Sequence, residues 1–349
     1  MFRSTAIIIL CIGLYQQSIG QDIKGSLVTD SLNSIILQEN KVGLNLTRPL
    51  KIYLPPGYHK SGKSYPVVYY CHSIYGNPSS MFWAAVTLLD RAFGLGAVKE
   101  FIFVVADYSS PYIGSLYENS PVSGKWLEFT GKELIPFIDR KYRTLRQPES
   151  RAITGDFMGG RGALVLAMTY PELFGAVYAL HPVATGVGTR PWTELGINWS
   201  KIFAAKSFAD LDDDKPSQTF LSICQAFLPN LNRPPFFCDY FMYQDSSGQL
   251  KVHTDHMIKI QREFMLDAWL SKYADHLKKI KGIAFDWARY DGNYDHVYSN
   301  RAFTRSLEDL GIEHEAEEYR GTPWNKTWSD DGRFYTRVLP FLNRYLVFE

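Results

Sequence analysis

Two near-continuous apolar runs, at residues 65–70 and 101–106, constrain this chain more than any other feature. A strand reads that way when both its faces are buried, which is the condition of a parallel sheet covered by helices. Shorter runs at 151–155, 175–180, 283–287 and 315–319 read as further strands. Between them, 133–142, 160–170 and 332–346 carry the spacing of amphipathic or buried helices. This alternation predicts an α/β chain with a mostly parallel central sheet flanked by helices on both faces. Residues 34–38 and 50–54 read as the antiparallel strands that often begin such a sheet.

The alternation breaks between Pro182 and Gly282, where Trp192, Trp199, a Pro234-Pro235-Phe236-Phe237 run and the acidic stretch 210–214 intervene. An insertion at that point of an α/β sheet sits over the carboxyl ends of the strands, where ligands bind. It is expected to be a cap-like insertion, about 183–282, within a single domain spanning 21–349. Residues 1–20 have a positive start, an apolar stretch too short to span a bilayer, and Ser18-Ile19-Gly20 before a predicted cleavage site. They predict a signal peptide and a secreted or periplasmic protein. With 37 basic against 36 acidic residues, nothing suggests a nucleic-acid partner, and no later segment reads as a membrane span. Export leaves room for a Cys224–Cys238 disulfide, although sequence does not set their separation. Cys71 ends an apolar run and reads as a buried small hydrophobe.

The segment from Arg151 to Leu164 is a strand, a sharp turn and a helix, with Gly155-Asp156-Phe157-Met158-Gly159-Gly160 at the turn. It resembles the nucleophile elbow of the α/β-hydrolases, G-x-S-x-G, whose glycines leave room for a strained turn. Gly124-Lys-Trp126, residues 133–139, Tyr142-Arg-Thr144 and Tyr170-Pro-Glu-Leu-Phe174-Gly extend the likeness. Together they are similar to the esterase D / enterochelin esterase family, from about Leu50 to the C-terminus. The resemblance implies an α/β-hydrolase fold. It also implies ester chemistry by a serine nucleophile, a histidine base, an aspartate that orients the base, and backbone oxyanion donors.

Position by position, that machinery is altered. The nucleophile position is Phe157, which has no lone pair to activate. The loop that should carry the base reads Tyr319-Arg-Gly-Thr-Pro323-Trp-Asn, with Pro323 in the histidine position. Asp291, at the end of a strand, keeps the acid position, and is equally suited to the turn before Gly292. The oxyanion loop reads His72-Ser73, where the resemblance implies His-Gly; Ser73 and Met158 are the expected backbone donors, with His72 and His181 in or near the cleft. Asp156 is one residue early to replace the serine and is expected to bond nearby backbone or a basic residue such as Arg161. His296, beside Asp295, reads as a structural histidine, as do His72 and His181. The spacing of Asp210, Asp212, Asp213 and Asp214 lacks a calcium loop's glycine and final glutamate. No cofactor or metal is expected. The reading is a catalytically inactive esterase relative that binds a small molecule or carbohydrate ester in the old cleft. The alternative is an active ester hydrolase or acyltransferase using non-standard residues.

Overall fold

The computed structural model describes residues 24–111, 113–189, 195–324 and 327–349, and leaves the side chains of Ser80 and Met81 undescribed. The expected leader and Asn325 lie outside these. Eight strands form one sheet: β1 (Ser26–Asn33), β2 (Thr47–Leu54), β3 (Val67–Cys71), β4 (Ile102–Ala106), β5 (Arg151–Asp156), β6 (Ala176–Leu180), β7 (Gly282–Ala288) and β8 (Glu315–Tyr319). Their spatial order is β1-β2-β4-β3-β5-β6-β7-β8. The β1–β2 and β2–β4 pairs are antiparallel and all others parallel, so the chain has an α/β fold with a mostly parallel sheet. The first strand is Ser26–Asn33, not residues 34–38. Ser34 instead precedes a 3-10 turn at Ile36–Glu39, its hydroxyl accepting the Leu37 N–H at 3.1 Å while Glu133 accepts from the N–H groups of Ile35 and Ile36. A serine and a carboxylate thus satisfy donors that a sheet would have paired.

The period-two alternation of a strand divides the core into two layers. Val67, Tyr69 and Cys71 face one side, with α2 (Ile135–Lys141), α3 (Met158–Thr169), α7 (Leu270–Leu277) and α8 (Tyr294–Asp309). Val68 and Tyr70 face the other, with α1 (Pro78–Gly94) and the closing α9 (Leu339–Tyr345). Helices therefore cover both faces.

The segment between β6 and β7 carries α4 (Trp199–Ala204), α5 (Lys215–Phe227), α6 (Thr254–Phe264) and the last helix of that stretch, α7. Its own cluster of apolar side chains includes Trp199, Leu221, Cys224, Phe236, Cys238 and Phe241. Both cysteines are free thiols there, and burial pushes Cys224 up to about 12. The acidic run starts helices: Asp210 completes a capping box with Ser207, and Asp214 accepts the Ser217 N–H at the start of α5.

Arg161, the fourth residue of α3, ties this segment to the sheet. Its fully buried guanidinium donates to the carbonyls of Phe264 and Leu116 and to Glu118 at 2.8 Å, with the Phe264 ring 4.6 Å away. Arg161 therefore pairs with Glu118 and not with Asp156, which receives the Tyr70 hydroxyl at 2.7 Å. Burial raises the Asp156 carboxyl to about 6 despite that bond, and raises Glu118 to about 7 against the pull of Arg161.

Candidate active site in an altered elbow

Phe157 occupies the turn between β5 and α3 with φ +50° and ψ −115°, a conformation that side chains rarely adopt. The turn presses against the end of β3. A Cβ on Gly155 would lie 2.4 Å from the Cys71 carbonyl oxygen, and one on Gly159 only 1.9 Å from it. The glycines are thus required by close backbone approach. The strain that presents a nucleophile in an elbow is kept, and what it presents is a phenyl ring.

That ring stacks on Trp324 at 4.6 Å and 25°, and lies 5.0 Å from the His181 imidazole. Pro323 is buried in the loop after β8, and Trp324 beside it is 76% exposed on its outer side. The loop that would bring a base to the elbow brings an indole instead.

Asp291, in the turn after β7, holds two histidines from elsewhere. Its Oδ2 accepts from His181 Nε2 at 2.8 Å and from His296 Nδ1 at 2.7 Å, while Oδ1 accepts the Asn293 N–H at 2.9 Å. Burial pushes the Asp291 carboxyl up, but the two imidazoles outweigh it and hold the group well below the usual carboxylate range. For His181, burial lowers the imidazole further than Asp291 raises it. The tautomers follow from the partners. The Ala288 N–H donates to His181 Nδ1 at 2.9 Å, so the single ring proton sits on Nε2 and faces Asp291. Neither His181 nitrogen retains a lone pair for a substrate proton. In His296 the proton sits on Nδ1 facing Asp291, and Nε2 accepts from Asn293 Nδ2 at 2.9 Å.

Ligand atoms of His181, Asp291 and His296 lie within 4.8 Å of one another, a spacing that a metal ion could bridge. The donor set opposes it. A metal-bound imidazole carries its proton on the nitrogen away from the metal, and at His181 that nitrogen already faces a backbone donor.

A cavity of about 420 Å³ opens beside these groups. Ser73, Phe157, Met158 and Asp291 line it, together with Asn293, His296 and Trp324. Apolar side chains dominate the rest, including Ile74, Phe220, Ile223 and Phe264, the last three from α5 and α6. His72, His181 and Pro323 do not line it. His72 is buried, donating from Nδ1 to the Ser73 carbonyl at 2.8 Å and accepting the Tyr108 N–H on Nε2 at 2.9 Å. Ser73 does not adopt a left-handed backbone, so a serine fits that turn where a glycine was implied. At the mouth, the Tyr75 hydroxyl meets Thr219 on α5 at 2.7 Å. Among the described residues, the site features that sequence reasoning did not assign are the Trp324 stack and the bonds of Asp291 to His181 and His296. The run Asp291-Gly-Asn-Tyr-Asp-His296 did carry a signal, because Asn293 is a natural N-cap that places His296 in the first turn of α8.

The comparisons with known proteins fit this geometry. An esterase of Mycobacterium tuberculosis is 34% identical over 126 residues, 35% of this chain and 26% of that protein. The matched stretches span less than two thirds of the curated relatives' own lengths. Among solved structures, a ferulic acid esterase superposes with a TM-score of 0.60 at 20% identity, over 93% of this chain and 99% of that one. An S-formylglutathione hydrolase from Agrobacterium tumefaciens gives 0.55 at 14% identity, over 93% and 97%. The likeness in structure is one of fold. The sequence profile described as "Putative esterase" matches residues 42–223, more than half of the chain. The chain belongs to the esterase family of the α/β-hydrolase superfamily.

Proposed function

We propose that this esterase-family protein has lost serine-triad hydrolysis and binds a small molecule or carbohydrate ester in the cavity beside the old elbow. The observation that carries the reading is the Phe157–Trp324 stack, which puts an aromatic ring at the nucleophile position and sets against it the indole next to Pro323. Aromatic carbons can neither attack a carbonyl nor accept a proton from a nucleophile. His181 supports the reading because both its nitrogens are already engaged. The apolar lining with a few polar groups at one end is the usual character of a ligand pocket. In this reading residues 21–349 form one domain, 183–282 act as a cap over the cavity, and 1–20 direct export. No described helix is long and apolar enough to cross a membrane.

A second reading, an ester hydrolase working through non-standard residues, is favoured by one observation. His296 donates from Nδ1 to Asp291 and turns Nε2 away, as a triad base does. It still lacks a nucleophilic side chain on the elbow. The binding reading is tested by screening the purified chain against ferulate-like esters, oligosaccharides and siderophore fragments. A cavity-filling Ile223→Trp variant serves as control. Saturable binding lost in that variant is expected, and binding unaffected by it would contradict the cavity as the site.

A further inference from the structure

At the inner end of the cavity Asp291 accepts three hydrogen bonds and, as a carboxylate, offers a ligand no donor, while His181, which does not line the cavity, has a partner at each nitrogen. The His296–Asn293 contact differs. His296 Nε2 has one lone pair, which the Asn293 amide fills at 2.9 Å, and both side chains line the cavity. The orientation of Asn293 is fixed at its other end, because Oδ1 accepts the Asp295 N–H as the cap of α8. An amide nitrogen carries two protons, so this edge offers a ligand one acceptor and one donor side by side.

We infer that His296 and Asn293 form a hydroxyl-reading site, selecting an uncharged alcohol or phenol on an apolar body from other ligands of the same shape. The inference rests on the binding reading above. A hydroxyl donates to His296 Nε2 in place of Asn293 and accepts the amide N–H thereby released, using one atom for both bonds. A methyl ether accepts but cannot donate, and a carboxylate likewise has no proton to give. An ammonium donates but cannot accept. The apolar side chains around the cavity, with Phe157 and Trp324, take the body of the ligand.

The test uses one ring with four substituents: benzyl alcohol, benzyl methyl ether, benzylamine and benzoate. Binding to the full chain is measured by ligand-observed NMR titration. The alcohol is expected to bind roughly threefold more tightly than the ether, because its bond to Nε2 replaces the Asn293 one and at most one partly exposed hydrogen bond is gained. In His296→Phe the alcohol-to-ether ratio should fall to about one while the ether still binds. Alcohol and ether binding equally to the unaltered chain would overturn the hydroxyl site and leave the cavity reading standing. If none of the four binds, or Ile223→Trp leaves their binding unchanged, the cavity reading falls and takes this inference with it.

Discussion

Replacing Arg161 with methionine should loosen the segment proposed as the cap of the cavity. The guanidinium is fully buried and makes four hydrogen bonds, to the carbonyls of Phe264 and Leu116 and to Glu118. Methionine fills similar volume but supplies no donor. Two carbonyls and a buried carboxyl then lose their partners. Breaking a buried pair from one side costs about 3–5 kcal/mol. Glu118, already raised to about 7, can take up a proton and relieve part of that, which points to the lower half of the range. Equilibrium urea unfolding at pH 7 reads the loss directly. Arg161→Met with Glu118→Gln should recover part of it, since the uncompensated carboxyl is gone. Because Phe264 lines the cavity, ligand affinity should fall with the single variant as well. A loss below about 1 kcal/mol for Arg161→Met would refute the claim that this residue anchors the covering segment.

Gly159→Ala should fail to fold or lose more than about 4 kcal/mol, because its Cβ would meet backbone at 1.9 Å and no side chain can yield; soluble expression and circular dichroism check it. Asp156 has a folded pKa raised to about 6 from an ordinary 3.8, so its contribution is full below the unfolded value and is lost as pH rises through 6. Asp156→Asn should therefore gain on the unaltered chain by about 3 kcal/mol at most between pH 4 and pH 8, at about 1.4 kcal/mol per pKa unit. Unfolding curves for both proteins at the two pH values measure that difference.

Much of the site was legible in the sequence because its parts are local. The elbow glycines follow from a short motif, and the proposed nucleophile and base positions, Phe157 and Pro323, rest on the register that the family resemblance implies. The positions of the strands of the parallel sheet follow from apolar runs buried on both faces. What escaped depends on approach in space. Nothing in the spacing of Phe157 and Trp324 says that their rings stack, and nothing near Asp291 says that His181 reaches it from the end of β6. Of the two partners open to Asp156, nearby backbone and a base such as Arg161, the second is not taken, because Glu118 reaches Arg161 from a separate loop. Residues 34–38 misled because a serine hydroxyl and Glu133 replace the ladder that their apolar pattern suggested.

The central claim is that nucleophile and base were lost together, and p-nitrophenyl ester hydrolysis tests it most directly. The purified chain, Phe157→Ser and Asp291→Ala are assayed side by side with a fluorophosphonate label. The account predicts turnover at the buffer background and no labelling for the unaltered chain. It also predicts no strong activity from Phe157→Ser, since Pro323 still denies the elbow a base. Saturable turnover by the unaltered chain that disappears in Asp291→Ala would contradict it.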